Sequence, residues 1–170
     1  MFEQIQTKST LHKVVLSIGS NINNPKQNII NALHEIERSN LLKVSKVSSF
    51  YLTEPNGYKT SNWFWNVSAT VWTDLDPFLL LFFLKSIEYH FGRQKQDTLA
   101  DRDIDIDILL YDMKLINSKY LQLPHPKLHV RKFVLIPTIE IEPNLIHPYL
   151  NKTLETLLDE CKDTLKVIKQ

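Results

Sequence analysis

Within Arg102-Asp103-Ile104-Asp105-Ile106-Asp107-Ile108-Leu109-Leu110, acidic and β-branched residues alternate from Asp103 to Ile108. Alternation with a period of two is the mark of a half-buried strand, in which residues i and i+2 point the same way about 6.6–7 Å apart. A strand over 103–110 therefore sends Ile104, Ile106 and Ile108 into a core and lines its other face with Asp103, Asp105 and Asp107. The elements before it decide what sheet this strand completes.

Working back toward the N-terminus, Asp76-Pro77 is a helix start signal, and the apolar run after it continues to Ile87, too long for a strand. Gly92 is placed to end that helix as a C-terminal cap. Upstream, 65–72 reads as a strand with Asn66, Ser68 and Thr70 on one face, and 43–52 as its antiparallel partner across a loop containing Pro55 and Gly57. Asn24 as N-cap and Pro25 at the first helical position open a helix over 25–38, with Ile29, Leu33 and Ile36 at helical spacing. The β-branched stretch 14–18, ending at Gly19-Ser20-Asn21, is a first strand.

The order β-α-β-β-α-β predicts an α+β fold of ferredoxin-like type, an antiparallel sheet with helices packed on one face. Extra C-terminal elements follow: a short edge strand at 114–116, a helical stretch interrupted by Pro137, and helical spacing of Leu154, Leu157, Leu158 and Cys161. No repeat or linker interrupts the chain. Residues 1–170 are expected to form one domain, with 1–12 as a loosely ordered extension.

Composition excludes several functions. The 170 residues hold only three Gly, where average usage gives about twelve, so neither a G-x-G-x-x-G turn nor a P-loop is present. A net charge of +1 supplies no general attraction for nucleic acid or acidic membranes. The longest apolar run, Phe78 to Leu84, is seven residues, far short of a membrane span of about 18. Cys161 alone makes no internal disulfide or multi-thiolate zinc site, and the start shows no signal-peptide pattern. A cytoplasmic, monomeric protein is expected.

The Asp run carries the chemistry. Adjacent carboxylates repel unless cations intervene, and Mg²⁺ is commonly held by one or two carboxylates together with substrate phosphates. Two such ions about 3.5–4 Å apart serve phosphoryl or nucleotidyl transfer. A solvated strand face would show the same alternation without any function. A calcium EF-hand loop is disfavoured, because its sixth position needs Gly and here is Ile108.

Only Arg38, Arg93, Arg102 and Arg131 are arginines among the 20 Lys+Arg. Arg is retained where a planar fork must hold phosphate or stack on a ring. Arg93 and Arg102 flank the polar segment 93–102, either a loop that closes over phosphates or an idle solvated one. His125, before Pro126, either bonds a nucleotide or caps a turn. Phe64, Phe133 and Asn66 offer stacking surface and an amide for a flat heterocycle, though aromatics are more often core.

In order, Leu16-Ser17-Ile18-Gly19-Ser20-Asn21, Thr53-Glu54-Pro55-Asn56-Gly57 with Asn66, Glu88 with Gly92-Arg93, the stretch Arg102 to Asp107, and Leu123-Pro124-His125-Pro126 with Arg131 and Phe133 resemble 6-hydroxymethyl-7,8-dihydropterin pyrophosphokinases. The resemblance spans about 14–148. It implies transfer of diphosphate from ATP to 6-hydroxymethyl-7,8-dihydropterin, giving AMP and the diphosphate ester used in folate synthesis. It also implies two Mg²⁺ ions on Asp105 and Asp107, with Asp103 a neighbour.

By the same resemblance Phe64 and Phe133 sandwich the pterin, Asn66 bonds its polar edge, and Thr53, Asn56 and Arg131 complete that side. Glu88, Lys95 and His125 fall on the ATP side, and Arg93 and Arg102 steady the transferring group. Leu99-Ala100-Asp101 stands where the family has Trp-Gly-Pro, and Lys85 where Gln often stands. A different metal-dependent nucleotidyltransferase and a non-catalytic ferredoxin-like binding module are the alternatives.

Overall fold

The computed structural model describes residues 10–57, 59–92 and 100–170. A mixed α/β fold is built on an antiparallel sheet. Strands β1 (His12–Ser20), β2 (Leu42–Val47), β3 (Tyr51–Thr53), β4 (Phe64–Thr73) and β5 (Asp105–Tyr111) alternate with helices α1 (Pro25–Arg38) and α2 (Pro77–His90). Across the sheet the order is β10 (Val167–Lys169), β3, β4, β1, β5, with β2 also pairing β4. The remaining elements are the hairpins β6 (Ile116–Asn117) with β7 (Gln122–Leu123) and β8 (Ile146–His147) with β9 (Lys152–Thr153), and helices α3 (Lys132–Ile141) and α4 (Leu154–Glu160).

Helix α1 has the bounds expected from its Pro25 start, but Asn24 is left-handed (φ 70°) and its side chain makes no cap bond. Asp76 does cap α2, its Oδ1 accepting from the Phe78 and Leu79 amides at 2.9 and 3.3 Å. Gly92, at φ 92°, follows the C-cap Phe91 and closes the helix end through its amide to Tyr89 O at 3.0 Å.

Further expectations need correction. The strand over 43–52 is two strands, β2 and β3, both antiparallel to β4. The break lies where the Ser48 amide and hydroxyl turn to bond Ser68. Helix α3 is not interrupted by Pro137. Pro137 is the sixth of its ten residues, and in so short a helix the ring removes a single hydrogen bond without ending it. His12, expected in a loose extension, pairs with Thr73 as the first residue of β1; residues 1–9 lie outside the described residues.

Helices cover both faces of the sheet rather than one. On the first face Leu16, Ile18, Val67, Ala69, Ile106 and Ile108 pack with Ile29, Ala32 and Ile36 of α1 and Leu80, Leu84 and Ile87 of α2. On the second face Val15, Leu109 and Leu110 pack with Leu128, Val134, Leu135, Leu154 and Leu157, which belong to the C-terminal elements. The polar stripe of β4 lies on this second face. Helix α3 matches it with polar groups of its own: Thr138 Oγ1 bonds Ser68 Oγ at 2.8 Å, and Glu142 accepts from Thr70 Oγ1 at 2.8 Å.

Candidate active site

The antiparallel register aligns the second face in rows. Asn66 lies opposite Gly19, which lies opposite Asp105; Ser68, Ser17 and Asp107 form the next row. Helix α3 covers Ser68 but stops short of the first row, so the sheet opens there as a cleft of about 240 Å³. Thr53, Asn56, Phe64, Asn66, Arg102, Asp105, Asp107, Arg131 and Phe133 line it, with Ser17, Gly19, Glu54 and Lys127.

The cleft floor depends on Gly19. A Cβ there would stand 2.6 Å from Asn66 Oδ1, an approach that side-chain carbons do not tolerate. Without it the Asn66 carboxamide sits against the Gly19 backbone, its Nδ2 donating to Thr53 Oγ1 at 2.8 Å. That bond fixes the amide's orientation beside the ring of Phe64.

At the opposite wall Arg102 donates from Nη1 to Asp105 Oδ2 at 3.0 Å, and its guanidinium lies 5.4 Å from the Phe64 ring centre. Its Nε is buried with no hydrogen-bond partner among the described residues. A buried unsatisfied donor costs about 1–3 kcal/mol, so this arginine is suited to an acceptor that the described residues do not supply. Arg131 stacks over Phe133 in the same way, at 5.4 Å.

Burial and then the charge of Asp105 push the Asp107 carboxyl up, only partly offset by His125, Lys85 and Arg131. His125 Nε2 is 3.9 Å from Asp107 Oδ2. Its Nδ1 accepts the Lys127 amide at 3.2 Å, which leaves Nε2 as the protonated nitrogen. Burial holds this imidazole below its ordinary value, against the opposing pull of the Asp107 carboxylate. Asp103 precedes β5 and turns aside, accepting from Asn23 Nδ2 at 2.9 Å.

Glu88 and His125 do not line the cavity. Glu88 is 2% exposed, and its Oε1 accepts the amide of Ile106 and the Lys85 ammonium, each at 2.7 Å. It thereby satisfies an amide on the outer side of β5, an edge strand, between the two aspartates. Arg93 and Lys95 lie outside the described residues. Sequence reasoning passed over Ser17, Glu54 and Lys127, although Ser17 and Glu54 sit within motifs it quoted; only register and loop placement bring their side chains in.

The chain matches a family model, 7,8-dihydro-6-hydroxymethylpterin-pyrophosphokinase (HPPK), over residues 15–143. It is 37% identical to the 2-amino-4-hydroxy-6-hydroxymethyldihydropteridine pyrophosphokinase of Aquifex aeolicus, covering 90% of this chain and 93% of that one. The enzyme of the same name from Bacillus subtilis is 36% identical over 74% of this chain and 75% of its own. The folic acid synthesis protein FOL1 of Dictyostelium discoideum is 39% identical over 82% of this chain, which spans only 21% of that longer protein. The crystal structure of wild-type Plasmodium falciparum HPPK-DHPS superposes with a TM-score of 0.70 at 19% identity, over 91% of this chain and 42% of that one, a likeness of fold. The chain belongs to the 7,8-dihydro-6-hydroxymethylpterin-pyrophosphokinase family.

Proposed function

We propose that the cleft over Gly19 is where this chain carries out its family's reaction, with the pterin between Phe64 and Phe133 and the ATP phosphates beside Asp105, Asp107 and Arg102. The chain is an ATP-dependent pyrophosphokinase of folate biosynthesis, with ATP and 6-hydroxymethyl-7,8-dihydropterin as its substrates. The observation that carries the site assignment is one row of residues. Register puts the amide Asn66, the bare Gly19 and the carboxylate Asp105 side by side, so a flat heterocycle and a phosphate chain meet on one strip of sheet.

The residues fit magnesium. Asp105 and Asp107 present hard oxygen donors from one strand face, and the burial and mutual repulsion that raise Asp107 are what a divalent cation would offset. Among the described residues no group of three His, Cys, Asp or Glu side chains converges as a metal site. The remaining ligands then come from ATP phosphates and water, the usual arrangement for this ion. Two bound ions would neutralise phosphate charge on both sides of the transferred group.

The chain's own side chains orient the reaction. Asn66, held by Thr53, reads the polar edge of the pterin, and the two Phe rings hold its plane. With Asn56 and Arg131 they fix the hydroxymethyl oxygen in line with the β-phosphorus, so positioning supplies much of the rate. The unsatisfied Nε of Arg102 is available to an oxygen of the moving diphosphate, and AMP leaves. Lys85, Glu88 and His125 gather at the edge of β5 on the ATP side.

Further parts of this reading are a ferredoxin-like arrangement extended by C-terminal elements, supported by the strand order β3-β4-β1-β5, and a single domain over 1–170 acting as a monomer. The single cysteine, Cys161, supports a reducing cytoplasm. No helix of the described residues is long and apolar enough to cross a membrane. The deciding experiment incubates the protein with ATP, Mg²⁺ and the hydroxymethyl pterin and identifies the products. AMP with a pterin diphosphate is expected; release of inorganic diphosphate would instead identify a nucleotidyltransferase, and no ATP consumption a binding module.

A further inference from the structure

The carboxylate of Asp101 joins its own segment to two others, which also touch directly where Asn21 Nδ2 reaches Asn62 O at 3.4 Å. Its Oδ1 accepts from Asn21 Nδ2 at 2.7 Å, at the exit of β1. Its Oδ2 accepts from Asn62 Nδ2 at 2.6 Å and from Thr60 Oγ1 at 3.1 Å, both in the loop between β3 and β4. Asn21, buried, closes the circuit: its Oδ1 accepts the amide of Arg102 at 2.7 Å, and its own amide donates to Arg102 O at 3.1 Å. Thr60 Oγ1 in turn accepts the amide of Asn62 at 3.1 Å.

Bonds to a charged acceptor are roughly twice as strong as neutral ones, and one carboxylate here collects three donors from two segments. The loop it holds begins with Thr53 and Asn56 and ends at Phe64, the pterin side of the cleft. The residue after it is Arg102, which reaches Asp105 and Phe64. Asp101 is not among the residues that line the cleft, yet both neighbours of the cleft hang on it.

We propose that Asp101 is a positioning residue: its carboxylate latches the β3–β4 loop to the backbone of Arg102, so that the pterin wall and the phosphate-side arginine keep a fixed spacing. The inference rests on the proposed pterin–ATP cleft. It makes Asp101 matter more for pterin than for ATP, because the latched loop borders only the pterin.

The test compares wild type with Asp101→Ala, Asp101→Asn, Asn62→Ala and the double Asp101→Ala/Asn62→Ala in steady-state AMP formation, with each substrate varied. Loss of about 1.4 kcal/mol of charge-assisted bonding corresponds to a tenfold change. Asp101→Ala should therefore raise the KM for pterin about tenfold while the KM for ATP moves less than threefold. Asn, which keeps an acceptor for only one of the two segments, should fall between, and the double variant should be no worse than Asp101→Ala alone.

Amide hydrogen exchange supplies a second readout that needs no turnover. Asp101→Ala should speed exchange at 59–63 about tenfold or more, with the amides of β1 and β4 unchanged. Unchanged pterin KM in an active enzyme, additive effects in the double variant, or unchanged exchange at 59–63 would each overturn the latch. A wild type that makes no AMP would overturn the proposed function, and the exchange result would then judge the latch by itself.

Discussion

One face of one sheet carries two carboxylate clusters of opposite character. At the open end Asp105 and Asp107 stand in neighbouring rows, and burial with mutual repulsion pushes Asp107 up. Beside the next row beyond Asp107, under the end of α3, Glu142 is buried as well. Burial would raise it too, but hydrogen bonds from Lys13, Thr70 and Lys46 outweigh that effect and hold it below the ordinary carboxylate range. The lysines also answer the electrostatic cost of an acid at a helix C-terminus. A carboxylate whose partners are all in the chain is structural; one left in repulsion needs something brought from outside.

The sharpest way to break this contrast is Asp107→Ala. If the open end works by holding cations and phosphates, this change should reduce AMP formation by about a thousandfold or more and leave the circular dichroism spectrum unchanged. Activity within tenfold of wild type would show that the strained carboxylates are idle.

Gly19→Ala probes the cleft floor between the two clusters. The new methyl group would press on the Asn66 carboxamide, and overpacking of this kind costs about 1–3 kcal/mol. The KM for pterin should rise about tenfold, with the KM for ATP little changed. Equal losses for both substrates would place the amide's role elsewhere.

The smallest effect is expected at the closed end. Glu142→Gln should cost about 1–2 kcal/mol of stability at pH 7, read from denaturant unfolding, with turnover within twofold. Because the folded-state value of Glu142 is depressed, its contribution is fully present above the ordinary Glu range and is lost as pH falls through the depressed value. The stability gap between variant and wild type should therefore narrow from pH 5 downward. A gap that stays constant to pH 3 would remove the ionic explanation of this cluster.

Local patterns were legible wherever a few neighbouring residues carry the cause. Pro25 and the Ile29, Leu33, Ile36 spacing place α1 at its observed bounds, and Asp76-Pro77 with Gly92 bracket α2. The Asp-Ile alternation puts Asp105 and Asp107 on one face, because side chains on a strand must alternate. The resemblance to the family, carried by motifs in order along the chain, pointed to the nine predicted residues that line the cleft.

Other features depend on partners far along the chain. Alternation showed that Asn66, Ser68 and Thr70 share a face, but not that α3 would cover two of them and leave the third open. That division follows from Thr138, whose own hydroxyl donates to Val134 O, and Glu142 each finding a hydroxyl donor on β4 some seventy residues away. Val167–Lys169 becomes an edge strand only because β3 offers free backbone groups to pair, and Asp101 becomes a latch only because Asn21 and Asn62 converge on it. Periodicity and capping are short-range properties that a sequence by itself determines; complementarity between surfaces exists only once the chain has folded, and tertiary structure alone decided it.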